Sequence, residues 1–450
     1  MEIFAGRKSA LIIAAGTLFF AISFTGKSRA ENLLEVYKMA LENDAAFQAA
    51  EYKYSAAAEM KVQARAGLLP DVSFSAEKTH RNQDILRNND SFVGTGESTY
   101  PIKSLSLSIT QPVFRYESWL RYKQSDLSVK QAETEFSVAS QDLILHVAEA
   151  YFAALAAKEK LEYTLIEKKA VAKHLEDAEQ RAKTGMSRIT DLHDARARFA
   201  LTESREIESE NALDDSYQAL LVHTASLITN LSSLQEKIPL VNPEPANPDK
   251  WIETALAQNL ALEASRQSLD VAQQEIERQK AGHYPTLDLV ASRNRYDQEG
   301  SLFGGGSEVE TTDYLLRFNL PLYQGGGVQS KMRESYLVRE KAVRDVEDQR
   351  RQVRRDTRAA YRGVFGGIKK VEALSKSIIS QKSALEVKEA GYRSGVNTLL
   401  EVLDAQRDLY YAQTDYSQAR YDYLLSTLRL KHASGSLSVT DLEQVNKLLN

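Results

Sequence analysis

A mainly α-helical protein with four amphipathic strands, built from a duplicated strand-and-helix unit, is the fold class predicted for this 450-residue chain, and three observations predict it. None of the nine prolines falls in 113–238 or in 322–450, so nothing in those stretches forbids very long helices. Four short segments alternate apolar and polar residues with period two, the signature of half-buried strands. The chain also matches itself at an offset of about 209 to 215 residues, so helices and strands come as two copies of one unit. No segment after the amino terminus approaches about 18 uninterrupted apolar residues, so entry into a membrane has to be by strands closed into a barrel.

In chain order, Arg7 and Lys8 precede an apolar run from Ala10 to Ile22, and Ser28-Arg29-Ala30 offers small residues where a signal peptidase reads. Residues 1–30 are therefore expected to be an export signal cleaved after Ala30. The run is shorter than the roughly 20 residues of a spanning helix. The net charge is −5, and there is no cysteine. That excludes disulfides, thiol catalysis, thiolate metal sites and a lipid on an amino-terminal cysteine, so an exported chain is held by packing alone.

Two repeats are expected, 31–240 and 241–450, joined by the Pro-rich linker around 239–248. Gly67-Leu68-Leu69-Pro70 matches Gly282-His283-Tyr284-Pro285, Pro112-Val113-Phe114 matches Pro321-Leu322-Tyr323, and Asp194-Ala195 matches Asp404-Ala405. Each repeat begins with a helical segment, over about 32–66 and about 249–281, stopped by the Gly and Pro that follow it. Strands come next. Val72, Phe74 and Ala76 alternate with Ser73, Ser75 and Glu77, and Leu105, Leu107 and Ile109 with Ser104, Ser106 and Ser108. In the second repeat Leu287 and Leu289 flank Asp288, and Tyr314, Leu316, Phe318 and Leu320 alternate with Leu315, Arg317 and Asn319. Gln83–Thr99 and Asp297–Thr312 read as polar loops, long for hairpins. Gly304-Gly305-Gly306 and Gly325-Gly326-Gly327 lack the Lys-Ser or Lys-Thr of a phosphate loop and read as loop and strand-to-helix joint.

The long helices carry a heptad. Val402, Leu409, Tyr416, Tyr423 and Leu430 form a large-residue seam, and Ala405, Ala412, Ala419 and Ser426 a small one. The first repeat keeps it loosely, with Leu192, Phe199, Leu213 and Leu220 against Ala195, Thr202, Ser209 and Ser216, interrupted by Glu206. Four strands cannot close a barrel, whose smallest examples have about 8, so a membrane reading requires an oligomer, and three copies supply twelve. A helix over about 115–183 would project roughly 100 Å. The rival reading, a structural or adhesive coiled-coil protein of the envelope, accounts for the helices and leaves the strands unexplained.

These residues resemble the TolC-type outer-membrane efflux and secretion channel family over essentially the whole mature chain. The resemblance is carried by the duplication, the two Gly-Pro motifs, Leu320-Pro321-Leu322-Tyr323-Gln324-Gly325-Gly326, and Ala390-Gly391-Tyr392 followed by Val402-Leu403-Asp404-Ala405. It implies a homotrimer in the outer membrane: a twelve-stranded barrel, a helical tunnel across the periplasm and a closable inner end. It also implies docking with a periplasmic adaptor protein and an inner-membrane transporter, either an ABC or a proton-driven one.

The helix-to-helix turns near Gly185 and Gly395 are the hairpin tips. Glu401 and Asp404, three apart on one helical face, lie just beyond the second tip. Two readings stay open for them: a pore constriction of six carboxylates in a trimer, attracting cations, or a capping box of Thr398 with Glu401. The resemblance favours the first, since its members carry acidic rings at the matching positions, although Glu401 replaces an Asp. It also implies a gate latch in which Tyr392 bonds Asp191 with Thr190 nearby. Asn397 stands where close members have Arg and cannot make the same charged link; Arg393 and Arg188 are the candidate substitutes. The seven histidines form no metal-ligand spacing, and no nucleophile and base fall in a recognisable motif, so no metal, cofactor or catalysis is expected. Arg350, Arg351, Arg354 and Arg355 interleave with Glu347, Asp348 and Asp356, reading as a solvated face rather than a nucleic-acid contact.

Overall fold

A computed structural model describes residues 30–87, 95–185, 188–300 and 305–450. The expected export signal, apart from Ala30, lies outside them, as do Gly304 and the middle of both loops.

Each half opens with a broken helix where the sequence reading expects a continuous one. Helices α1 (Leu33–Asn43) and α2 (Ala45–Ala66) part at Asp44; α5 (Pro248–Gln258) and α6 (Leu260–Lys280) part at Asn259. The cause is side-chain capping. Asp44 accepts from the Phe47 N–H at 2.7 Å and Asn259 from the Leu262 N–H at 3.0 Å, each restarting a helix. Asp44 is buried and pairs with His223 Nδ1 at 2.7 Å. Burial pushes its carboxyl pKa up, but the His223 bond and the Phe47 and Ala46 N–H groups outweigh it and hold the pKa below the usual value.

The strands are β1 (Asp71–Ile85), β2 (Gly96–Arg115), β3 (Thr286–Gln298) and β4 (Ser307–Asn319), antiparallel in the order β1-β2-β3-β4. Register brings the apolar residues to one face: Phe74 lies opposite Leu107, Ile109 opposite Ala291, Leu287 opposite Phe318 and Leu289 opposite Leu316. Ser73, Ser108, Ser292 and Asp313 cross the other face in one row. The apolar face is uncovered; Phe74 is 68% and Phe318 64% exposed. The strands run further than alternation indicated, shortening the two loops to 86–95 and 299–306. There the apolar face becomes charged, with Arg293 paired to Glu310 and Arg295 to Glu308. Among the described residues, the outer edges of β1 and β4 pair with nothing.

From β2 the chain enters α3 (Tyr116–Lys183), 68 residues without Pro or Gly, and returns as α4 (Ile189–Thr224). From β4 it passes Gly325 and Gly326, both with positive φ, into α7 (Gly327–Arg393) and returns as α8 (Leu399–Ala433). At 1.5 Å per residue α3 spans roughly 100 Å. Of the heptad residues, Val402, Leu409, Ala412, Ala419, Tyr423 and Leu430 are buried, with Tyr416 packed against the cluster that holds the last three. Gly363 and Gly367 of α7 let α8 approach, since a Cβ at Gly367 would sit 3.3 Å from that of Tyr423. In the first half Leu192, Ala195, Thr202, Ser209 and Leu220 are buried, and Glu206 leaves the seam to pair with Lys168.

Midway along the helices the main core gathers around Tyr151, Phe152 and Tyr421, all fully buried. Phe152 lies 5.7 Å from each of the other two ring centroids. The Pro-rich segment is no free spacer. The Val241 N–H donates to Tyr423 Oη at 2.8 Å, Trp251 Nε1 donates to the Pro245 carbonyl at 2.9 Å, and Arg420 donates to the carbonyls of Gln235 and Glu236. A last helix, α9 (Val439–Asn446), which the sequence reading does not include, packs against α1 and α3. Within the basic cluster of α7, Arg351 reaches Glu347 at 3.0 Å and Arg355 reaches Asp356 at 2.9 Å, both on the same helix.

Replacing Asp44 with Ala removes a helix cap and leaves His223 without its partner, so the detergent-extracted protein should lose about 1–2 kcal/mol at neutral pH. Because the folded pKa lies below the unfolded one, this contribution is present above the ordinary aspartate range and fades as pH falls through the folded value. Denaturant unfolding of both proteins should show a stability gap at neutral pH that narrows as pH falls below the ordinary aspartate range; a gap independent of pH contradicts the assignment.

Candidate functional site

Both hairpins end in a glycine turn at the same end of the helices. At the first, Gly185 has φ +69° and its N–H donates to the Ala182 carbonyl at 3.1 Å. Thr184 Oγ1 caps the last turn of α3 by donating to the Arg181 carbonyl at 3.0 Å. Thr190, exposed, and Asp191 occupy the first turn of α4. At the second, Gly395 has φ +80°, and the N–H groups of Val396 and Asn397 both donate to the Gly391 carbonyl, at 2.8 and 3.2 Å. This is a helix stop built from the αL cap that glycine supplies. Gly391 has its own reason to be glycine, because a Cβ there would lie 1.9 Å from Asn397 Oδ1.

The two hairpins share a small apolar cluster beneath the tips. Val171 and Ala178 of α3, Ala195 of α4, and Leu399 and Leu403 of α8 are buried in it, with Tyr392 packed alongside. The Arg181 guanidinium lies over the Tyr392 ring, 5.3 Å from its centroid. Burial raises the Tyr392 phenol pKa, Arg181 opposes, and the nearby Asp191 and Asp177 charges add to the rise. Tyr392 and Asp191, from opposite hairpins, thus share one neighbourhood.

Glu401 caps its helix. Its carboxylate accepts from the Thr398 N–H at 3.3 Å and its own N–H donates to Thr398 Oγ1 at 3.3 Å, completing the capping box. Asn397 Nδ2 donates to the same carboxylate, and Lys388 Nζ of α7 lies 3.7 Å away. The Asn397 bond, then the Thr398 N–H and Lys388, hold the Glu401 pKa below its ordinary value. Asn397 thus serves its own turn.

Asp404 lies a turn further along α8 and points to the other hairpin. Arg198 of α4 donates to its Oδ1, and Arg407 Nη1 stands 3.3 Å from the same oxygen. Arg407 Nη2 also meets Asp408 Oδ1 at 2.8 Å. A heptad beyond Arg198, Arg205 bonds the buried Glu167 of α3 at 3.2 Å and lies 5.1 Å from the Tyr411 ring centroid. Burial raises the Glu167 pKa despite Arg205, Arg198 and Arg407. Sequence reasoning missed Arg198, Arg407 and Lys388. The signal was an arginine flanking the Phe199 seam position, where coiled coils place residues that pair with acids across the interface.

The outer membrane efflux protein family model matches residues 36–225 and 251–436. Outer membrane protein TolC of Vibrio cholerae is 35% identical over 436 residues, 96% of either chain. The proteases secretion protein PrtF of Dickeya chrysanthemi is 28% identical over 93% of this chain and 91% of that one. Among solved structures, the Campylobacter jejuni CmeC outer membrane channel superposes with TM-score 0.78 at 18% identity, covering 93% of this chain and 90% of that chain.

Removing the Glu401 carboxylate by Glu401→Ala deletes its half of the capping box, and the loosening should be confined to the tip. Hydrogen exchange of the 394–401 amides should accelerate about fivefold while the α8 interior is unchanged; unchanged tip exchange removes the capping role.

Proposed function

The chain belongs to the outer membrane efflux protein family, and from that footing we propose that it acts as a homotrimer in which twelve strands close one barrel and the helices form a tunnel. It is an outer-membrane channel for efflux and type I secretion, with its helices in the periplasm. Channels of this family are trimeric and work with adaptor proteins and inner-membrane transporters; its relatives are channel proteins, not enzymes. For this chain the proposed partners are a periplasmic adaptor and an inner-membrane transporter driven by ATP or by protons, so the duct itself is passive. Each repeat, 31–240 and 241–450, then contributes two strands and one helical hairpin per copy.

The observation that supports this reading best is the sheet. It has one apolar face, one polar face and two open edges, and it stands at one end of helices that hold no spanning segment among the described residues. Closure with two more copies satisfies the edges, turns the apolar face to lipid and leaves the serine-rich face lining a lumen. The tips at Gly185 and Gly395 then converge at the periplasmic end. Glu401 and Asp404 form the constriction, and Tyr392 with Asp191 and Thr190 forms a latch between hairpins.

Topology is the direct test. A cysteine at Leu86, in the loop beyond β1 and highly exposed, should react with an impermeant maleimide in intact cells, whereas one at Ser394 should react only after the outer membrane is permeabilised. The reverse pattern contradicts the reading. In planar bilayers the purified protein should carry discrete currents, and Tyr392→Phe should raise their conductance; absence of current in the wild type contradicts the channel arrangement.

A further inference from the structure

The carboxylates at the tips are matched by cations of the same chain. Arg198 reaches Asp404 across the hairpin boundary, and its side chain is only 10% exposed while that of Asp404 is 41% exposed. Arg407 approaches Asp404 at 3.3 Å and Asp408 at 2.8 Å, and Lys388 stands 3.7 Å from Glu401. Three acids, Glu401, Asp404 and Asp408, therefore meet three bases, Lys388, Arg198 and Arg407. The two arginines at Asp404 stay protonated throughout the physiological range.

An isolated carboxylate ring and a ring of ion pairs act differently on a passing ion. The field of bare like charges adds up in a narrow pore and concentrates counter-ions, whereas an ion pair presents a dipole whose field falls off within a few ångströms and is further screened by salt. We propose that Arg198, delivered from the first hairpin, together with Arg407, sets the ion specificity of the constriction by cancelling the charge of Asp404. This rests on the reading that puts Glu401 and Asp404 at the constriction. Its consequence is a passage open to anionic solutes and acidic polypeptide segments, which six uncompensated carboxylates would repel.

The test is reversal potential in a KCl gradient across a planar bilayer holding the full-length protein, with La³⁺ added on the side of the helices. The wild type should be weakly selective and poorly blocked. Arg198→Gln should shift the permeability ratio toward cations by about threefold or more and bring on La³⁺ block. Arg407→Gln, at a more exposed position, should do the same to a lesser degree and stands in if Arg198→Gln fails to assemble. Asp404→Asn should shift the ratio toward anions. A strongly cation-selective wild type that loses selectivity in Asp404→Asn and is unmoved by Arg198→Gln and Arg407→Gln overturns the compensation while leaving the constriction in place. Selectivity unmoved by all three variants overturns both.

Discussion

Everything in this molecule follows from a sheet that is too small to be complete. Four strands place an apolar band on one face and a serine-rich surface on the other, and among the described residues they end in two unpaired edges. In hydrocarbon an unpaired backbone edge costs several kcal/mol per group, so such a sheet is tolerable only when closed by further strands. Closure by identical copies arranges the attached helices in a ring. A ring of helices needs seams that fit closely along its length, and the chain supplies them as heptads of one large and one small residue, with Gly363 and Gly367 of α7 set against Ser426 and Tyr423 of α8.

Much of this was legible beforehand. The strand pairs, the long helices, the glycine tips and the duplication were visible because each rests on a local signal: period two, absence of Pro, Gly at a turn. The strands were read too short for a physical reason. Alternation marks a strand only where one face is apolar and the other polar; above Ala76 and Ala291 the same face carries Lys78, Arg293 and Arg295, and the period disappears although the ladder continues. The helix breaks were missed because Asp44 and Asn259 look like ordinary polar residues in a helix. Their equivalence across the repeat, 215 residues apart, was the available clue. The strap over 239–248 and the last helix α9 depend on contacts far apart in sequence, which no local pattern records.

At the tips, spacing offered a cap or a charged ring as rival accounts of Glu401, and the geometry fulfils the first without opposing the second. Asn397 feeds the cap, which explains why a residue too short to bridge hairpins is useful there. The bridging charge sits a heptad further from the tip on α4, at Arg198, beside a hydrophobic seam where its own sequence context gives little notice of a partner 206 residues away.

The central claim, that open edges β1 and β4 of separate copies join to close one barrel, is tested most directly by cross-linking. The chain has no cysteine of its own, so Ser75→Cys on β1 can be combined in one chain with Cys at Thr311, Asp313 or Leu315 on the same face of β4. Within one copy two strands separate these positions, at about 4.8 Å per strand step, too far for a disulfide. Oxidation in isolated outer membranes should therefore yield, for at least one pair, a ladder of covalent species that stops at three chains. No cross-linked species from any pair, or a ladder that continues past three, contradicts closure as a trimer.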